Sequence, residues 1–243
     1  MRKSFFVFLF LMPLVSFSQE TVKANRFSIS IGFIQNKGNI DNMSFNFKFN
    51  QKYMEDGYRV ETSLTALYGE SRDSKISERV NLANRIEYRL KPYFLFWDTQ
   101  YYRNPFQTFE HSVGAGPGIG RYIYDEKSLY ITVGYYISGV YNKLNKKSHF
   151  TGDYEENYIL HNVETRFSIK FADNLRFTNK SIYKVSSRSE EDYFLVFENS
   201  IINKITGGLA LEISYNAYYH NIPTSWRVRK WDTNLSTLIQ FNF

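Results

Sequence analysis

The chain has no cysteine among its 243 residues. That absence excludes disulfide staples, thiolate metal sites and a lipidated cysteine anchor. Histidine is nearly as scarce: only His111, His149, His161 and His220 are present, and no two stand at the H-x-x-x-H spacing of a helical metal site. Long apolar runs are missing too. Past the N-terminus nothing approaches the roughly 18 consecutive apolar residues that a membrane helix requires, so any membrane span must be built from strands. The formal net charge of +6 is not gathered into a basic block, which argues against a nucleic-acid partner. Neither G-x-G-x-x-G nor a Walker spacing occurs, and no cofactor is expected.

What the chain does have is aromatic side chains. Phe and Tyr dominate a 19% aromatic content and the hydrophobic share is 43%, yet the mean hydropathy is −0.43. Apolar residues must therefore be interleaved with polar ones, the pattern of half-buried strands.

The first residues form an exception. Arg2 and Lys3 precede a short apolar stretch, Phe5 to Val15, and Ser16-Phe17-Ser18 offers a small-x-small cleavage site. Residues 1–18 are expected to be a cleaved signal peptide, and 19–25 a short periplasmic segment before a barrel domain over 26–243.

The segment Trp231 to Phe243 shows the alternation most clearly. Its odd positions are apolar or uncharged, while Asp232, Asn234, Ser236, Gln240 and Asn242 intervene. Phe241 and Phe243 at its end are expected to act as the assembly signal read by the barrel-assembly machinery. Twelve such segments are predicted, over 26–35, 42–54, 58–72, 80–90, 92–104, 110–125, 128–143, 157–171, 175–187, 192–206, 209–221 and 231–243. Each meets or exceeds the ~9 to 11 residues of a tilted membrane strand. Tight turns near Gly57, Pro92, Glu126, Asp173 and Gly207 alternate with longer polar connections near 36–41, 72–79, 104–109, 144–156, 188–191 and 222–230. Short periplasmic turns facing longer outer loops are the plan of an all-β, transmembrane, antiparallel up-and-down barrel of the outer membrane.

One face of each strand is apolar and is assigned to lipid. Charges on it fall near strand ends: Arg121 beside a short turn, and Glu70, Arg72, Arg103 and Lys143 beside outer loops. The other face is assigned to the lumen. It carries Lys48, Arg59, Arg85, Arg89, Arg166, Lys170, Arg176, Lys180, Lys184 and Lys204 against Glu61, Glu87, Asp98, Glu164, Glu198, Glu212 and Asp232. Two readings stand open, an anion-preferring pore and a lumen plugged by its own ion pairs.

In the sixth strand Gly114, Gly116, Gly118 and Gly120 all fall on the lumen face, leaving a smooth strip for a bulky neighbour or for curvature. Pro117 removes a ladder donor there, so a bulge or break is expected. Gly38-Asn39, Gly116-x-Gly118-x-Gly120 with Tyr122, and Tyr219, Pro223, Asp232 with Phe243 form a pattern that resembles the YdiY-like, or salt-induced, outer-membrane proteins. That resemblance spans Phe27 to Phe243. It implies an outer-membrane barrel and carries no catalytic residue.

Two further functions are weighed. A lipid-acting enzyme would use a lipid-facing Ser-His pair, for which His161 and Ser187 are the candidates, though no third orienting group is assignable. A structural barrel binding outer-membrane lipid or lipopolysaccharide would use basic loop patches, Lys143, Lys146 and Lys147 in one loop and Arg227, Arg229 and Lys230 with Trp226 in another. An enzyme is not expected.

Overall fold

Strict alternation forces successive side chains to opposite faces of a strand, and a sheet with one greasy face and one charged face has a stable solution in closing on itself. A computed structural model describes residues 24–36, 42–55, 57–71, 74–148, 150–222 and 230–243, so the signal peptide lies outside the described residues. The strands are β1 (Ala24–Asn36), β2 (Asn42–Glu55), β3 (Tyr58–Ser71), β4 (Ser74–Leu90), β5 (Tyr93–Asn104), β6 (Phe109–Asp125), β7 (Leu129–Leu144), β8 (Glu155–Lys170), β9 (Leu175–Ser186), β10 (Ser189–Lys204), β11 (Leu209–His220) and β12 (Trp231–Asn242). Each pairs antiparallel with its sequence neighbours, and β1 pairs with β12 to complete a closed twelve-stranded barrel.

The closing seam is short. It runs from Ser28↔Asn242 to Ile31↔Ile239, and Phe27 and Phe243 add a reciprocal pair of backbone hydrogen bonds at 3.3 and 3.0 Å. Their rings stack with centroids 4.9 Å apart. Gly32 lets the two strands approach, since a Cβ there would stand 2.6 Å from Leu238 Cδ2 and 2.7 Å from the Thr237 carbonyl.

The faces separate as the alternation predicts. Phe27, Ile31, Phe33, Ile86, Leu95, Trp97, Ile119, Val133, Ile159, Ile213, Leu235 and Ile239 are among the large side chains exposed on the outside. In water such a belt would be untenable; in a bilayer it is the lipid contact. Aromatic girdles border it. Tyr58 and Tyr88 pack at 4.9 Å near the short turns, and Tyr183, Tyr193, Tyr219 and Trp231 make a chain of ring contacts, at 5.9, 5.8 and 4.8 Å, toward the other rim. Arg121 lies on the outer face beside a short turn, its guanidinium 5.8 Å from the Tyr93 ring. Lys143 pairs with Glu110 at 3.6 Å and Arg103 with Glu78, while Arg72 lies outside the described residues.

Two expectations are corrected, and a third is decided between its alternatives. The connection expected at 188–191 is a tight turn of Ser187 and Arg188, with a register shift between Ser189 and Tyr193. The 72–79 connection is mostly strand, because β4 extends back to Ser74. Pro117 makes a local break and not a bulge: it faces Trp97 in unbroken register with β5, while the β7 pairing lapses at residues 116 and 117 between Ala115↔Gly139 and Gly118↔Tyr136 with the register kept. The missing N–H interrupts the ladder on the β7 side and leaves the register intact. The β6 shifts lie elsewhere, between Phe109 and His111 and between Tyr122 and Tyr124.

Candidate functional site: the charged lumen

Inward-facing charges organise the interior into two halves. In the first, spanning β3 to β8 with Lys52 from the end of β2, they are densely paired. Arg59 donates to Glu87 at 2.8 Å and to the Tyr130 hydroxyl at 2.8 Å, and Glu87, with no exposed surface, also accepts from Tyr122. Arg85 holds Glu164 through both terminal nitrogens, at 2.6 and 3.0 Å, and Asp98 through Nε at 3.1 Å. Arg166 bridges Glu61 at 2.6 Å and Glu164 at 2.7 Å, and Lys52 reaches Glu61 at 3.3 Å. Fixed, charge-assisted bonds of this kind satisfy ions that a dry interior would otherwise penalise.

Beneath this network lies an aromatic layer. Phe94, Phe96, Tyr122 and Tyr136 are buried with Ile182. The glycine strip makes room for it: a Cβ on Gly118 would stand 2.6 Å from Phe96 Cε2, and one on Gly120 2.6 Å from Phe94 Cε2. The Arg85 guanidinium rests 4.0 Å over the Phe96 ring. Phe94 and Phe96 are not distinguishable in the sequence from lipid-facing residues, because Tyr93 to Trp97 is apolar on both faces.

The other half, β9 to β12 with β1 and β2, is more open. Lys48 binds Glu212 at 2.6 Å, and Glu212 also accepts from Ser200 at 2.9 Å. Lys180 stands 3.5 Å from Glu198. Between the halves runs one cavity of about 710 Å³. Its lining reaches from Lys52 and Arg176, close to the short turns, up to His220 and Lys230 beside the outer loops.

Four of the predicted lumen residues sit at the short-turn rim. Arg89 pairs with Asp125 at 3.0 Å. Lys170 donates at 2.5 Å to Asp173 in the β8–β9 turn, and this hydrogen bond holds that exposed carboxyl below its ordinary range. Arg176 and Lys204 are exposed near the same end.

At the outer mouth a cluster forms from residues in or beside segments expected to be loop. Arg188 folds inward to Glu156 at 2.7 Å and Asp192 at 2.5 Å, between the rings of Phe150 at 4.2 Å and Tyr158 at 3.8 Å. Ser148 donates to Glu156, and His220 Nε2 lies 2.7 Å from Asp192. Arg79 pairs with Asp232 under the ring of Tyr218. Strand lengths were the missing signal, since polar residues read alike in a loop and in a strand that projects past the bilayer.

His161 and Ser187 do not meet in a hydrogen bond. His161 Nδ1 is 2.7 Å from the Tyr135 hydroxyl, and Ser187 Oγ accepts from the Ile159 N–H at 3.0 Å. Among the described residues no three histidine or carboxylate side chains converge as a metal site. Of the basic loop patches, Lys143, Lys146, Lys147 and Lys230 are exposed, whereas 223–229 lie outside the described residues.

A closed barrel with a greasy belt and a charged bore is the outer-membrane arrangement, and residues 29–243 match the model of a protein family of unknown function. The chain belongs to the DUF481 family. In fold it is similar to the NanC porin, with 9% identity, 89% of this chain and 97% of that chain covered, and a TM-score of 0.52. An outer-membrane channel from Pseudomonas putida F1 aligns at 7% identity over 94% of this chain and 97% of that one, with a TM-score of 0.47. The translocator domain of the autotransporter NalP from Neisseria meningitidis aligns at 10% identity over 93% and 89%, with a TM-score of 0.42. None of the curated proteins matches the chain. This DUF481 member is an outer-membrane β-barrel with a channel-like fold.

Proposed function

We propose that this protein is a small-solute pore of the outer membrane, a permeability element and not a sealed plug. The observation that carries the reading is the cavity of about 710 Å³ that continues past the ion-pair network from Lys52 and Arg176 to His220 and Lys230. Ion pairs narrow one half of the bore without filling the other. Bonding of His161 to Tyr135 and of Ser187 to a backbone amide favours this over a lipid-acting enzyme, because neither side chain is positioned to activate the other.

The same reading includes its surroundings. The aromatic girdles suit contact with outer-membrane lipid, and exposed Lys143, Lys146 and Lys147 suit the anionic heads of lipopolysaccharide. The terminal strand, with Phe241 and Phe243, would be the element engaged by the barrel-assembly machinery. Kinship with the YdiY-like, salt-induced proteins rests on the glycine strip, and it would give the pore an envelope-stress role.

The test is solute entry into liposomes containing the refolded protein. Arabinose is expected to enter and swell them while raffinose is excluded. Arabinose entry no faster than into protein-free liposomes would end the proposal.

A further inference from the structure

Three cations climb the inward face of β9. Arg176, Lys180 and Lys184 recur every fourth residue, roughly 13 Å apart along an extended strand, and all three line the cavity. Arg176 is exposed near the short-turn rim. Lys180 is engaged by Glu198 at 3.5 Å. Lys184 is different: among the described residues its ammonium makes no hydrogen bond and no ion pair. The carboxylates that act on it from a distance are Asp98, Glu198 and Glu164. All three are committed, Asp98 and Glu164 to Arg85 and Glu198 to Lys180.

The neighbours of Lys184 share its condition. Strand register places Tyr136, Asn162, Lys184, Phe194 and His220 in one cross-strand row. Tyr136 lines the cavity and is 2% exposed, yet among the described residues its hydroxyl has no hydrogen-bond partner. Asn162 spends its amide hydrogens on Tyr136 O, Ser138 Oγ and Leu160 O and leaves Oδ1 unpartnered. A buried hydroxyl and a lumenal ammonium, both unpaired in one row, are a costly arrangement unless something else completes it.

We propose that Lys184 and Tyr136 form a binding site within the bore for a small monocarboxylate. The carboxylate accepts from the Lys184 ammonium and the Tyr136 hydroxyl, and Asn162 Oδ1 is placed in register to accept a further ammonium hydrogen. One uncompensated positive charge matches one negative charge, because Glu198 already answers Lys180. Arg176 stands beyond the site on the same face, an exposed cation toward the short-turn rim. The site deepens the pore reading and rests on it for the route by which the solute reaches the row.

Calorimetric titration of the refolded protein in detergent with sodium gluconate tests the site without requiring transport. The wild type is expected to bind, and Lys184→Gln and Tyr136→Phe each to bind roughly tenfold more weakly or worse, as for loss of a hydrogen bond to a charged group. Lys204→Gln, at the exposed end of β10, is expected to bind as the wild type does. Each variant is first checked for its heat-modifiable gel shift, and two substitutions keep the test alive should one fail to fold. Absent binding by the wild type, equal binding by Lys184→Gln, or equal weakening by Lys204→Gln overturns the site. Tighter Lys184-dependent binding of inorganic phosphate than of gluconate overturns its match to a single charge. A barrel that binds gluconate but admits no solute sinks the pore reading alone; one that admits solute without Lys184-dependent binding sinks the site alone.

Discussion

Arg85 is the residue on which the packed half of the lumen depends. It is 3% exposed, forks onto Glu164, touches Asp98 and lies on the Phe96 ring. Removing one partner of a buried pair strands the others, so Arg85→Met is expected to cost about 3 kcal/mol of stability. Urea unfolding in detergent reads that loss, and adding Asp98→Asn and Glu164→Gln should recover much of it. Recovery is the decisive feature, because lost packing alone would not be restored by neutralising the acids. Residues of this kind were legible in the sequence, as a charge in the middle of a membrane strand has nowhere to point but inward. The aromatic layer was legible only indirectly. Four alternate glycines announced a smooth strip, but the occupants, Phe94 and Phe96, sit in a strand that is apolar on both faces.

Among the elements, strand number and facing followed from period-two alternation, while strand ends did not. Alternation marks where a strand meets lipid; beyond the bilayer both faces are polar and the signal fades. The β9–β10 connection shows the consequence. Ser187 and Arg188 make a tight turn that returns Arg188 into the mouth, where Glu156 and Asp192 receive it and Phe150 and Tyr158 sandwich it. Ser148 and Phe150 belong to the β7–β8 connection, so this one guanidinium ties two outer connections together. Arg188→Ala is expected to free residues 145–154, visible as several-fold faster proteolytic cleavage there with the barrel intact. Unchanged cleavage would mean that the connection is held by its own backbone bonds, such as Ser148 to Asp153 at 2.7 Å.

For the whole molecule, closure is the governing constraint, since an open sheet edge cannot be left in lipid. The β1–β12 seam is the shortest in the barrel, and Phe243 contributes two of its backbone bonds and a stacked ring. Deleting Phe243 should therefore reduce the heat-resistant, membrane-inserted fraction in cells severalfold; insertion at the wild-type level would show that the seam closes without it.

The central claim is that the bore conducts past its ion pairs. Planar-bilayer recording of the refolded barrel under a potassium chloride gradient tests it most directly. The account predicts small, discrete conductance steps whose reversal potential favours chloride, because unpaired Lys184 and exposed Arg176 line the open half. A correctly folded barrel that inserts and stays electrically silent would contradict it.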